Sequence, residues 1–304
     1  LLFNVLKQHM HYILKEFLNF SEKMSLIKRA FIVGGAVRDM ILGKETKDLD
    51  IAIKGNAIDI AKEFAHIIDG SFVLLDEKFG VARIVKNNYC IDISQLRGDS
   101  IYYDLSERDL TINSMAIPLI VLKSYLSNIK PFIIDPYNGE RDLYNRTIRI
   151  VSEDNLMKDP LRILRIYRFA GTLGFSIDEK TRNSAKGLSY LIKSVAVERI
   201  TEELKYIIAL DNSYKTILLL HDDGILKHIF CECGDIAQRL KLYKNVEVCL
   251  NDPNLSPIHS QFSGQAFKKI CLKLLTLFSE PEIAKSSAIR LRLSKKEVEF
   301  IYKM

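Results

Sequence analysis

The sequence predicts an α/β head built on a small mixed sheet, followed by an all-helical neck, body and tail. Two observations carry that reading. From Phe31 to Ile93, short β-rich runs alternate with helical stretches and glycines sit between them. After about Val151 this pattern fades, and apolar residues recur at steps of three and four.

The elements follow in order. Residues 1–24 are apolar but interrupted by Lys7, His9, His11 and Lys15, a spacing that suits an amphipathic helix better than the unbroken core of a signal peptide. They are expected to form a helical extension. Strands are expected at Phe31–Val33, Leu49–Ile53, Phe72–Leu75, Val81–Val85 and Tyr89–Ile93, with helices near 36–42 and 57–67. Gly43 should close the first of these helices, and Gly70 and Gly80 should precede strands. Helices are expected over 160–173, 197–209 and 213–222, and over most of 236–304. The implied division is an extension (1–24), a head (25–150), a neck (151–210) and a body and tail (211–304).

Composition narrows the class. The 304 residues are 48% hydrophobic and 27% charged, as in an ordinary soluble protein, and no apolar run has the length of a membrane span. A cytoplasmic location is expected. The five cysteines are odd in number and scattered. Cys231 and Cys233 form a CxC without a second ligand pair at zinc-site spacing, so free thiols are the better expectation. The net charge of +6 is compatible with a polyanionic partner.

Chemistry concentrates in Phe31–Ile53, FIVGGAVRDMILGKETKDLDIAI. A strand runs into Gly34-Gly35, a helix follows, and the next strand carries Asp48 and Asp50. Side chains alternate along a strand, so these two carboxylates share one face while Leu49, Ile51 and Ile53 point to the core. Paired carboxylates are hard oxygen ligands suited to Mg²⁺. Gly34 and Gly35 let backbone approach a triphosphate. An acidic pair alone is weak, but within strand–glycine turn–helix–strand it points to nucleotidyl transfer. No GK[ST] follows the glycines and no GxGxxG occurs, which removes the P-loop and Rossmann readings.

GGAVRD (34–39) followed by DLDIAI (48–53) resembles the first signature of the class II tRNA nucleotidyltransferase and bacterial poly(A) polymerase family. Further signatures occur in the family's order. ERDLTINSMA (107–116) resembles the ribose-selecting motif, DPYNGERDL (135–143) the DPxxGxxDL motif, and KDPLRILRIYRFAGTLGF (158–175) the base-recognising motif. VERITEEL (197–204) is a looser fifth match. The resemblance covers roughly the first two thirds of the chain. It implies a nucleotidyltransferase head and the addition of nucleotides to the 3′ end of tRNA.

It also implies roles at the matching positions. Asp48 and Asp50 should bind the catalytic metals, with Asp92 as a third carboxylate unless it is an ordinary edge-strand acid. Arg38 should lie near the triphosphate. Arg108 and Asp109 should recognise the ribose, with Asn113 of the same motif in the nucleotide-binding set; Asp109 could also cap a helix starting at Leu110. Asp159 and Arg162 should read the base, with Arg165 and Arg168 giving phosphate or structural contacts or lying on a solvated face. Asp159 would accept from an exocyclic amine and Arg162 would donate to the adjacent ring acceptor. Cytosine and adenine satisfy that pair; uracil and guanine reverse both partners.

Glu107 and Lys158 stand where the family usually has arginine and glutamate, and 119–131 is a longer connection than usual. Between Arg97 and Leu105 the chain has only GDSIYYD, where complete CCA-adding relatives carry a long flexible loop. The expectation is CC addition from CTP onto tRNA lacking all or part of its 3′ CCA end, with A added by a separate enzyme. The alternative is a complete CCA-adding enzyme using CTP and ATP, in which 119–131 supplies the missing lever. A poly(A) polymerase is disfavoured because FGVARIVKNNYC (79–90) lacks the basic, aromatic motif of those enzymes. Intact Asp48 and Asp50 argue against an inactive RNA-binding protein. HDDG (221–224) resembles an HD hydrolase pair, but without other histidines nearby it reads as a helix end.

Overall fold

The computed structural model describes residues 8–44, 46, 48–124, 132–230, 236–252, 265–278 and 280–303. The chain divides into two compact units: Leu1–Asn145 with Arg149–Ser152, and Arg146–Ile148 with Glu153–Met304.

The first unit is the α/β head. Its six-stranded sheet contains β1 (Ala30–Val33), β2 (Asp48–Ile53), β3 (Ser71–Asp76), β4 (Val81–Lys86), β5 (Tyr89–Gln95) and β6 (Ala116–Pro118), in the order β3-β4-β5-β2-β1-β6. The β2–β5 pair is parallel and the other four pairs are antiparallel, giving the mixed sheet expected. Five strands lie where alternation placed them. β6 escaped because three residues are too few to show a period. Asp92 lies on β5, an interior strand, so the edge-strand reading of this residue is corrected.

Burial along β2 shows why the carboxylates reach the surface. Leu49, Ile51 and Ile53 are fully buried, and α3 (Ala57–Ile67) packs on the sheet with Ile60, Ala61 and Phe64 inward. The N-terminal helix α1 (Gln8–Lys23) adds to this core, Phe17 and Phe20 meeting the Phe64 ring at 4.8 and 5.4 Å between centroids. On the opposite side, Ala52 shares its face with Asp48 and Asp50 by alternation. There it joins Val33, Leu96 and Ala116 in a cluster with Ile101 and Leu105.

Ile101 and Leu105 belong to a helix the sequence did not reveal. Residues 98–104, expected as a bare short connection, lead into α4 (Ile101–Ser106), which follows α2 (Gly35–Ile41) and α3 in the head. Ser100 caps α4 by accepting from the Tyr103 N–H at 3.2 Å. Burying its two apolar side chains stabilises so short a helix by about 1.5–3 kcal/mol each. The head is completed by α5 (Leu119–Ser124) and α6 (Gly139–Tyr144). Most of the connection that follows α5 falls outside the described residues.

Among its described residues, the regular structure of the second unit is helical except for a two-stranded parallel ladder, β7 (Thr147–Ile148) with β8 (Ser176–Ile177). Its helices are α7 (Glu153–Lys158), α8 (Leu161–Leu173), α9 (Glu179–Gly187), α10 (Val197–Ile208), α11 (Ser213–Asp222), α12 (Leu226–Ile229), α13 (Ile236–Asn251), α14 (Ala266–Leu275), α15 (Pro281–Arg290) and α16 (Lys295–Lys303). Gly174 ends α8 in the left-handed conformation, φ 65°, where a side chain would be strained. The HDDG segment is a helix end: Asp223 follows α11 and accepts from the buried Tyr167 hydroxyl at 2.8 Å and from Arg182. A buried Lys273 joins α14 to its neighbours, donating to the carbonyls of Ile208 and Leu210 and to the carboxylate of Glu247. So complete a partner set lets a charge stay buried at little cost.

Among the described residues no helix is long and apolar enough to cross a membrane. Cys90, Cys249 and Cys271 are free thiols. Cys231 and Cys233 lie outside the described residues.

Candidate active site

The glycine turn comes first. Gly34 takes φ 69°, ψ −133°, a conformation that L side chains rarely adopt, and its N–H donates to the Met115 carbonyl. A Cβ at Gly34 would stand 2.8 Å from Arg108 Nη1 and 3.3 Å from Asp50 Oδ2. Gly34 is therefore small because a guanidinium and a carboxylate converge on it.

Asp48 and Asp50 occupy the end of β2 on one face, Asp48 exposed and Asp50 partly enclosed. Burial raises the Asp50 carboxyl to about 6; Arg108 opposes the rise, and the neighbouring carboxylates Asp92 and Asp48 add to it. Asp50 and Asp92 are register partners on adjacent parallel strands. The two differ in partners, however. Asp92 receives Arg83 through both oxygens, at 2.7 and 2.8 Å. That bidentate pair fixes the orientation of the Asp92 carboxylate.

Arg108 is held by Asp104, which accepts from its Nε and Nη2 at 3.0 and 2.9 Å. Asp104 is buried and also accepts from the Arg97 N–H. Sequence reasoning missed this residue. The available signal was its position four residues before Arg108, the spacing of a helical acid–base pair.

Arg38 lies beside Gly35, pairing with Asp39 at 2.9 Å and donating to Asn113 Oδ1 at 2.7 Å. Asn113 Nδ2 donates in turn to Asp109 Oδ1 at 3.2 Å. The same Asp109 oxygen accepts from the Leu110 N–H, and the turn that follows is a 3-10 helix, Thr111–Asn113, with Leu110 rather than Asp109 at its cap. The DPYNGERDL motif buttresses this turn. Asp135 accepts from the N–H groups of Gly139 and Glu140, and Asp142 accepts from Thr111 Oγ1 at 2.7 Å. The structure thus brings Gly34, Gly35, Arg38, Asp48, Asp50, Asp92, Arg108, Asp109 and Asn113 into one unit around the end of β2.

Asp159, Arg162, Arg165 and Arg168 belong to the second unit. Asp159 immediately precedes Pro160, which sits at the N-cap of α8 rather than within its first turn. Arg162 is mostly buried, donates to the Asn155 carbonyl at 3.3 Å and approaches Asp159 Oδ2 to 4.0 Å. Arg165 and Arg168 pair with the buried carboxylate of Glu203 on α10, at 3.6 and 2.7 Å. Both guanidiniums also lie over the Phe169 ring. Glu203 of VERITEEL thus ties both arginines to α10.

Among the described residues, no three or more His, Cys, Asp or Glu side chains form a ready-made metal cage. The donor set is instead two carboxylates, one enclosed and raised by its surroundings. That is a deficit of positive charge which a divalent cation, completed by phosphate oxygens and water, would relieve.

A mixed sheet bearing such a pair beside a glycine turn, joined to a helical body, defines the class as nucleotidyltransferase-like. Residues 30–105 match the poly(A) polymerase head domain, and 174–234 match a domain described as the probable RNA and SrmB-binding site of polymerase A. The chain is 32% identical over 276 residues to the CC-adding tRNA nucleotidyltransferase of Synechocystis sp., covering 89% of this chain and 64% of that protein. It is 34% identical over 217 residues to the A-adding tRNA nucleotidyltransferase of Aquifex aeolicus, covering 66% of this chain and 26% of that protein. The Thermotoga maritima CCA-adding enzyme complexed with tRNA superposes with a TM-score of 0.78 at 27% identity, over 98% of this chain and 70% of the other. This chain spans less than two thirds of the length of either curated relative. It belongs to the class II tRNA nucleotidyltransferase and poly(A) polymerase family.

Proposed function

We propose that this protein adds CMP from CTP to the 3′ end of tRNA lacking all or part of its CCA, without a nucleic-acid template, and stops after CC. The observation that carries the chemistry is the convergence of Asp50 and Arg108 on Gly34, with Asp48 on the same face at the end of β2. The polymer end and the CC choice rest on the relatives, which include a CC-adding enzyme, and on the brief segment before α4. An A-adding relative exists as a separate protein, which fits a division of labour on the same tRNA.

Asp48 and Asp50 would hold Mg²⁺. When bound, the ion lowers the pKa of the attacking 3′-hydroxyl and neutralises charge on the transferring phosphate. Arg108 and Arg38 supply positive charge beside the glycine turn, where the triphosphate would lie. Asp92 contributes to the field at Asp50, its carboxylate oriented by Arg83. Asp109 and Asn113, tied together and to Arg38, give the ribose a rigid polar wall. Asp159 and Arg162 read the base as acceptor and donor. In this reading 25–150 performs transfer, 151–210 reads the base and 211–304 holds tRNA; free thiols at Cys90, Cys249 and Cys271 suit the cytoplasm.

The test is extension of end-truncated tRNA with labelled CTP and Mg²⁺. The parent should extend it, and Asp48→Ala and Asp50→Ala should abolish extension while still binding tRNA. Near-parental transfer by both folded variants would sink the assignment.

A further inference from the structure

We propose that Arg199 is a positioning residue for base selection, acting through Asp159; the inference rests on the base-reading role given above to Asp159 and Arg162. Arg199 sits in the first turn of α10 and its Nη2 donates to Asp159 Oδ2 at 3.0 Å. Arg162 Nε stands 4.0 Å from the same oxygen.

The geometry addresses a difficulty built into any acid–base reading pair. If Asp159 and Arg162 closed fully on one another, each would satisfy the other and present little to an incoming base. A carboxylate offers about four lone-pair sites on two oxygens, so one oxygen can be fixed while the other receives a donor. Arg199 takes Oδ2 at hydrogen-bond distance, whereas Arg162 remains outside it, engaged with the Asn155 carbonyl. The carboxylate is thereby oriented with Oδ1 available to an exocyclic amine. Hydrogen bonds weaken steeply with angle, so the orientation of that oxygen sets how sharply an amine is preferred over a carbonyl.

Arg199 is itself on a fixed support. Next to it Glu198 pairs with Arg292, and two residues on, the buried Thr201 hydroxyl donates to the Leu291 carbonyl at 2.6 Å. Lys205 pairs with Glu297 at 2.7 Å. The turn that carries Arg199 is therefore pinned to the segment between α15 and α16. The Arg199 side chain is about half exposed and lies outside the core, so its removal leaves the packing of α10 intact.

The test compares kcat/KM for CTP and UTP on end-truncated tRNA in the parent, Arg199→Ala, Arg199→Lys, Asp159→Ala and the double variant Arg199→Ala/Asp159→Ala. Arg199→Ala should lower the CTP preference about five-fold, the effect of an exposed charge-assisted contact, with thermal stability near parental. Arg199→Lys, which retains a donor, should recover part of it. In the Asp159→Ala background, Arg199→Ala should change the preference no further, because the residue it positions is gone. Parental preference in Arg199→Ala, or an undiminished second loss in the double variant, would overturn the inference while leaving Asp159 as a base reader. Parental preference in Asp159→Ala would overturn both.

Discussion

Asp50→Asn should inactivate the enzyme and at the same time make its head more stable. The Asp50 carboxyl is raised from its ordinary 3.8 to about 6, chiefly by burial, even with Arg108 and Arg38 opposing the rise. A group that binds its proton more tightly in the folded state costs stability when it ionises. The cost is absent below about pH 4, grows as pH rises through the window from 3.8 to about 6, and is constant above. Two units correspond to about 3 kcal/mol, which residual water contact reduces to about 2 kcal/mol. The asparagine variant escapes this cost. At about 2–4 °C per kcal/mol, the transition of the head should rise by about 4–8 °C at pH 8 in a metal chelator. Thermal unfolding of parent and variant at pH 4, 6 and 8 measures this. The gap should vanish toward pH 4, and Mg²⁺ should stabilise only the parent. A variant less stable than the parent at pH 8, or a gap independent of pH, would refute the electrostatic argument.

Base choice provides a second prediction. Asp159→Ala should erode discrimination against UTP by about one to two orders of magnitude, the worth of a hydrogen bond to a charged group, while Arg162→Ala should mainly weaken incorporation; competition between labelled CTP and UTP measures both. Gly34→Ala forces a side chain into an unfavourable φ and against Arg108 and Asp50. It should destabilise the head by about 1–3 kcal/mol and reduce transfer more than tenfold, as read by urea unfolding and steady-state kinetics.

The head was legible because its strands alternate. Leu49, Ile51 and Ile53 inward and Asp48 and Asp50 outward is a pattern with one structural solution, and the structure has it. The helices of the second unit were legible from spacing alone, since α8 and α10 each bury one broad apolar face. Elements too short to show a period were not. α4 has six residues, and its stability comes from burying Ile101 and Leu105 against side chains distant in sequence. The site divides in the same way. Local motifs pointed to the candidate residues and local spacing offered Asp104, whereas Glu203 and Arg199 act through contacts that only the folded chain creates. Asp92 shows the limit from the other side: its strand position was readable, but its engagement with Arg83 across the β4–β5 ladder was not.

The central claim is that this protein builds CC and stops, and product length tests it most directly. α4 is capped by Ser100 and anchored by Ile101 and Leu105, so the segment 98–104 is not a long free loop. A reading pair set for cytosine would then have no lever from this segment to reset it for adenine. Given tRNA ending before its CCA, with CTP, ATP and Mg²⁺ together, the product should grow by two nucleotides and no further. Efficient formation of a three-nucleotide extension ending in A would contradict the account.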